Sequence, residues 1–187
     1  AEWSIAKAAL TVTADSYESV RYGSAAPVFA ANCSGFVNGE TEAVLGGELV
    51  FSCEYDTANA AKRKPGDYPI VPGGLTSNNY EISYVNGNLE VISANLVIVI
   101  DDKTVTYGDA APEYTYHYEG FVYGEDISVM DEPGTVSCAY VPGNAVGTME
   151  IKSDNYGSDD CYFVVNQRIG TLTVEKAPLI VTAKDNT

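Results

Sequence analysis

Basic side chains are scarce in this chain. Ten Lys and Arg stand against 26 Asp and Glu, a formal net charge of −16. Nucleic acid and anionic membrane surfaces both recruit Lys and Arg, so neither is an expected partner. Histidine is scarcer still: His117 is the only one, too little imidazole for a His-rich metal centre or a repeated His-dependent mechanism. No apolar run is long enough to cross a bilayer, and the opening Ala1-Glu2-Trp3 is not a signal peptide. No Gly-x-Ser-x-Gly elbow, phosphate-binding glycine loop or His-Glu-x-x-His pair occurs. Adjacent acids such as Asp101-Asp102 and Glu125-Asp126 would point to opposite faces of a strand and make poor catalytic dyads. We therefore expect a chain that is not an enzyme and carries no cofactor or metal.

What the chain does have is a repeat. Residues 20–55 align without a gap on residues 105–140, with 15 of the 36 positions identical. Shared segments include Tyr22-Gly23 with Tyr107-Gly108, Ala25-Ala26-Pro27 with Ala110-Ala111-Pro112, and Gly35-Phe36-Val37 with Gly120-Phe121-Val122. Gly39-Glu40 matches Gly124-Glu125, and Ser52-Cys53 matches Ser137-Cys138. Leu10-Thr-Val-Thr-Ala14 returns near the end as Leu179-Ile-Val-Thr-Ala183, and residues 3–8 resemble residues 172–177. The expected organisation is the tail of an upstream repeat at 1–8, repeat one at 9–94, repeat two at 95–177, and the start of a third at 178–187. Tandem copies of one module commonly serve as spacers or multivalent binders.

Strand signals dominate both copies. Short runs rich in Val, Ile, Thr, Tyr and Phe alternate with polar residues and are broken by Gly, Pro, Asn and Asp. Leu10, Val12 and Ala14 alternate in copy one, and Leu96, Ile98 and Ile100 in copy two. Phe29, Ala31 and Cys33 share a face whose counterparts are Tyr114, Tyr116 and Tyr118, and that face is expected to point inward. Residues 38–45 and 123–130, acidic at the start and apolar at the end, predict one short helix per module. Asn86-Gly87, between strands expected at residues 80–85 and 89–92, predicts a tight hairpin. The junctions at residues 91–96 and 174–179 lack any Gly/Ser linker, which predicts an elongated rod of restricted inter-module angle.

The four cysteines come two per module, Cys53 and Cys138 being equivalent. Taking Cys33 opposite Tyr118 and Cys161 opposite Tyr80, we expect two intramodule disulfides, Cys33–Cys53 and Cys138–Cys161. Each would contribute about 3 kcal/mol for loops of this size, and paired cysteines imply an oxidising, extracellular compartment. A zinc site is disfavoured by the absence of Cys-x-x-Cys. Asp154, Asp159 and Asp160 surround Gly157 with hard oxygens that a calcium site needs, but the spacing is not that of an EF-hand; a solvated acidic turn is the expectation. Tyr80, Tyr84, Tyr114, Tyr116 and Tyr118 fall on inward faces, whereas Tyr123 and Tyr156 are expected at the surface. Lys7 and Lys176 recur at the polar junction, away from the core position that a Lys–Asn isopeptide bond needs.

The motifs Lys7–Ala14, Tyr22–Pro27, Gly35–Glu40 and Asn79–Val91 together resemble the MBG repeat of the YGX type. In copy two Cys161 is read in place of the Tyr, and residues 166–170 in place of the tight Asn-Gly turn. The resemblance implies modules of bacterial cell-surface adhesins, related to the ubiquitin-like β-grasp of mucin-binding proteins, with an immunoglobulin-like sandwich as the alternative fold. It implies no catalytic residues. The expected function is a stalk of a secreted surface adhesin held at the cell wall by regions outside this segment; the alternative is weak multivalent binding of host mucin or glycan. Expected partners are the neighbouring repeats of the parent chain, and the segment itself is expected to be a monomer without membrane insertion.

Overall fold

The computed structural model describes residues 5–183. The chain divides after Ser93 into two compact units, each built from seven strands and one turn of 3-10 helix. The first module contains β1 (Ala8–Ala14), β2 (Tyr17–Arg21), β3 (Ala31–Ser34), β4 (Gly46–Ser52), β5 (Gly66–Thr76), β6 (Tyr80–Val85) and β7 (Gly87–Ile92). The second contains β8 (Ala94–Ile100), β9 (Lys103–Thr106), β10 (Tyr116–Glu119), β11 (Thr135–Ser137), β12 (Gly147–Asn155), β13 (Tyr162–Arg168) and β14 (Gly170–Glu175).

Each module folds into two sheets with the same plan. The orders β3-β1-β6 and β2-β7-β5-β4 in the first are matched by β10-β8-β13 and β9-β14-β12-β11 in the second. Alternation along the central strands sets the inner face: Leu10, Val12 and Ala14 are buried, as are Leu96, Ile98 and Ile100. In the first module Ala14, Tyr55, Ile70, Leu89 and Val91 pack together, joined by Tyr17, Phe29, Phe51, Cys53 and Tyr68. In the second, Ile100, Val105, Tyr140, Ile151, Leu172 and Val174 form the equivalent cluster. Each fully buried aliphatic side chain contributes about 1.5–3 kcal/mol.

The Asn86-Gly87 hairpin is not formed. β6 pairs in parallel with β1, while β7 lies in the other sheet between β2 and β5. Thus β6–β7 is one bent strand that leaves the first sheet and enters the second, and β1–β2 does the same beside it. The bend brings backbones too close for a side chain. A Cβ on Gly87 would lie 2.2 Å from the Asp15 carbonyl oxygen, and one on Gly170 would lie 2.7 Å from that of Asp101. Polar side chains hold the corner. Ser16 Oγ accepts from Asn88 N at 3.0 Å, and Asn32 donates to Asp15 at 2.6 Å. In the second module Asp102 accepts from Thr171 N at 2.7 Å and Asp101 accepts from Thr115 Oγ1 at 2.5 Å. The Asn-Gly pair signals a backbone approach here, not a reversal.

The expected helix in each module is a single 3-10 turn, Glu42–Val44 and Ile127–Val129, with no buried residue. Val44 and Ile127 are 45% and 41% exposed. No apolar stripe packs against a sheet, so nothing offsets the cost of nucleating a longer helix. The expected helix is thus corrected: each module is mostly β, with a 3-10 turn where the helix was expected.

A second correction concerns register. β13 carries one more residue than β6, absorbed where the pairing with β8 shifts between Val164 and Asn166. Tyr162 therefore faces Ala94 as Tyr80 faces Ala8. Ala94 N bonds Cys161 O as Ala8 N bonds Asn79 O, both at 2.9 Å. Cys161 matches Asn79, and the tyrosine is retained one residue later as Tyr162. Residues 176–183 form no strand, and Leu179, Ile180 and Val181 are 88%, 86% and 84% exposed. The rest of the segment expected to begin a third repeat, residues 184–187, lies outside the described residues, as do residues 1–4 of the expected upstream tail.

Candidate functional site

The feature common to both modules is a clasped turn. In the first, Gly39 has φ +72° and Asn38 φ +55°, and Glu40 N bonds Val37 O at 3.0 Å. Two consecutive positive φ values give a turn that favours Gly and Asn. Tyr80 reaches this turn from β6. Its hydroxyl donates to Glu40 Oε2 at 2.5 Å and accepts from Val37 N at 3.1 Å, while its ring meets Phe36 edge-on at 5.5 Å. The second module repeats each contact. Tyr162 donates to Glu125 Oε2 at 2.5 Å, accepts from Val122 N at 3.1 Å, and meets Phe121 edge-on at 5.0 Å. Donation to the Glu40 carboxylate raises the Tyr80 phenol above its ordinary range, because ionisation would place two negative charges together.

The repeated Gly-Phe-Val-x-Gly-Glu segment is thus explained: the Phe packs on the tyrosine, the Val amide caps its oxygen, and the Glu receives its proton. The variable residue sits at the tip. It is Asn38 in one module and Tyr123, at φ +57° and 38% exposed, in the other. A tyrosine in this left-handed region is strained by about 1–2 kcal/mol. The sequence repeat exposed the Gly-Glu signal, but only the fold revealed its tyrosine partner.

Beside the first clasp lies a groove of about 340 Å³, lined among others by Lys7, Asn38, Glu40, Asn78, Asn79 and Tyr80. Lys7 Nζ donates to Ser77 O at 2.7 Å at its edge. The groove offers amides, a carboxylate and an ammonium, which suit hydrogen bonding to a small polar ligand. At the equivalent positions the second module has Tyr123, Asp160 and Cys161, without the amides.

Among the described residues no disulfide bond is formed, so the expected pairs Cys33–Cys53 and Cys138–Cys161 gain no support. Cys33 is on β3, opposite Val12, and its thiol is pushed up by burial and by the adjacent Glu42 carboxylate. Cys53, just beyond β4, packs into the core of the other sheet. Cys138, just beyond β11, packs against the second core beside Tyr114, and Cys161 precedes β13 with its N–H on Asp159 Oδ1 at 2.6 Å. The thiols therefore supply no argument about redox compartment.

The acidic turn is internally satisfied at two of its acids: Asp154 accepts from Ser137 Oγ at 2.7 Å, and Asp159 caps Cys161. Among the described residues no three His, Cys, Asp or Glu side chains gather in a metal-binding group. His117 is exposed, with Nδ1 3.5 Å from Asp101 Oδ1. Of the tyrosines expected to face inward, Tyr80 and Tyr118 are buried and Tyr84, Tyr114 and Tyr116 are half-buried, while Tyr123 and Tyr156, expected at the surface, are 38% and 39% exposed. Tyr118 OH accepts from Gly134 N at 2.9 Å and donates to Tyr156 O at 2.7 Å. Tyr84 OH bonds both the N–H and the carbonyl of Leu75. These are structural roles, as strand alternation predicts.

Residues 10–90 and 96–173 each match the family model of the MBG domain (YGX type). The chain belongs to this family. It holds two MBG domains in tandem, and the clasped turn lies within both matched segments. No curated protein matches the chain. MBG domains occur in bacterial surface proteins and are generally non-catalytic repeat or binding modules. Among the described residues no helix is long and apolar enough to cross a membrane.

Proposed function

We propose that the two MBG domains form a semi-rigid, non-catalytic stalk segment of a secreted bacterial surface adhesin. The observation that carries this reading is the junction: Ser93 alone separates β7 of one module from β8 of the next. A one-residue connection between strands has little conformational freedom compared with a Gly/Ser linker. Family membership supports the surface setting, and the strong acidic excess suits a soluble, self-repelling segment. Two sheets without a packed helix favour the sandwich description of the module over the β-grasp. The test is a spin-label distance measurement between one site on each module of the intact chain. A narrow distribution that broadens when Gly-Ser-Gly-Ser is inserted after Ser93 supports a spacer; an equally broad distribution in both overturns it.

A second reading, weak binding of mucin or another host glycan, is favoured by the amides around the groove of the first module. Titration of the labelled chain with neutral oligosaccharides tests it. Shifts at Asn38, Asn78 and Asn79 that vanish in Asn78→Ala would establish the binding reading, and their absence would remove it.

A further inference from the structure

We propose that each MBG module is a shear clamp, a device that resists tension applied along the chain. The argument rests on where the chain enters and leaves. In the first module the chain enters at the start of β1–β2 and leaves at the end of β6–β7. These two bent strands run side by side and parallel on both sides of the bend: β1 with β6 from Ala8↔Tyr80 to Thr13↔Val85, then β2 with β7 from Tyr17↔Leu89 to Arg21↔Ile92, with one register shift between Tyr17 and Val20. Hydrogen bonds close both extremities, from Ala8 N to Asn79 O at 2.9 Å and from Tyr22 N to Ile92 O at 2.7 Å.

Tension pulls one strand by its N-terminal end and its parallel neighbour by its C-terminal end. The two slide in opposite directions along the ladder, so its hydrogen bonds are loaded together. In an antiparallel hairpin opened from its ends, the bonds would instead break one at a time. The parallel crossing, which replaces the expected Asn-Gly hairpin, is thus what sets the direction of loading. The second module repeats it: β8 pairs with β13 and β9 with β14 in parallel, closed by Ala94 N to Cys161 O and Tyr107 N to Glu175 O at 2.9 and 2.8 Å. If each bond that must break in concert slows rupture about fivefold, three such bonds slow it about a hundredfold.

This inference builds on the stalk reading, since a spacer on a surface adhesin is a place where tension acts. Single-molecule pulling on the full chain tests it separately. In one geometry the handles sit at the two chain ends. In the other the second handle is moved to Asn78, beside the start of β6, so that β1 and β6 are opened from a common end. At a common force we expect the first module to unfold about a hundredfold more slowly in the end-to-end geometry. Equal rates in the two geometries would overturn the clamp. The spacer reading would survive that result if the spin-label distances stay narrow, and would fail on its own if they do not.

Discussion

Tyr80 and Glu40, 40 residues apart in sequence, meet at 2.5 Å and fix the turn that precedes the 3-10 segment. The same oxygen of Tyr80 also takes the Val37 amide proton. One phenol therefore acts as donor and acceptor for both ends of a four-residue turn. Tyr80→Phe removes both bonds and leaves the ring contact with Phe36. Hydrogen exchange at the Val37 amide should then accelerate, while the Val122 amide of the second module keeps its protection. Tyr162→Phe should give the mirror result. Unchanged exchange at both amides would show that the turn holds without its clasp.

High pH should destabilise both modules. Tyr80 is raised chiefly by its bond to Glu40, and Tyr114, Tyr116 and Tyr118 chiefly by burial. A phenol whose folded pKa exceeds the unfolded value contributes stability that is complete below about pH 10 and is lost as pH rises through the folded value. Ultraviolet titration should therefore show a group of phenols that ionises only as circular dichroism reports unfolding. A single early titration of all the tyrosines would contradict the hydrogen-bonded and buried assignments.

Tyr123 carries backbone strain that Asn38 avoids more easily. Tyr123→Asn copies the first module's turn and should stabilise the second by about 0.5–1 kcal/mol in urea unfolding, by relief of the left-handed conformation. A loss of stability would mean that contacts of the Tyr123 ring outweigh its strain.

Gly87→Ala tests the crossing. The added methyl meets the Asp15 carbonyl oxygen at 2.2 Å and its carbon at 2.8 Å, both backbone atoms. Forcing them apart should destabilise the first module by about 1–3 kcal/mol. Were Asn86-Gly87 a surface hairpin, no such clash would exist. A thermal scan of this variant beside the parent chain measures the loss, and an unchanged melting temperature would contradict the close approach.

The repeat, the strand alternation and the inward set Leu10, Val12 and Ala14 were legible from residue order alone, because period-two burial leaves its trace in every strand. The crossing at Gly87 was not, since an Asn-Gly pair can mark a turn or a place where only Gly fits, and only the partner strands distinguish them. Residue order puts Cys161 at the Tyr80 position, because loops of unequal length precede the two strands and a bulge between Val164 and Asn166 lengthens the second; only the strand register shows that Tyr162 holds the place. Acids before Val44 and Ile127 suggested a helix, yet local charge does not form one without a face to bury. The clasp was half visible: Glu40 and Glu125 recur in sequence, but their tyrosine partners come from strands remote along the chain.

The bends at Gly87 and Gly170 also bear on how a module melts. Two of its strands are shared by both sheets, so neither sheet has a boundary at which the other could detach intact. Partly unfolded forms with one sheet standing are therefore costly. Calorimetry should resolve heat-absorption peaks no more numerous than the modules, with each module losing its two sheets as a single cooperative unit.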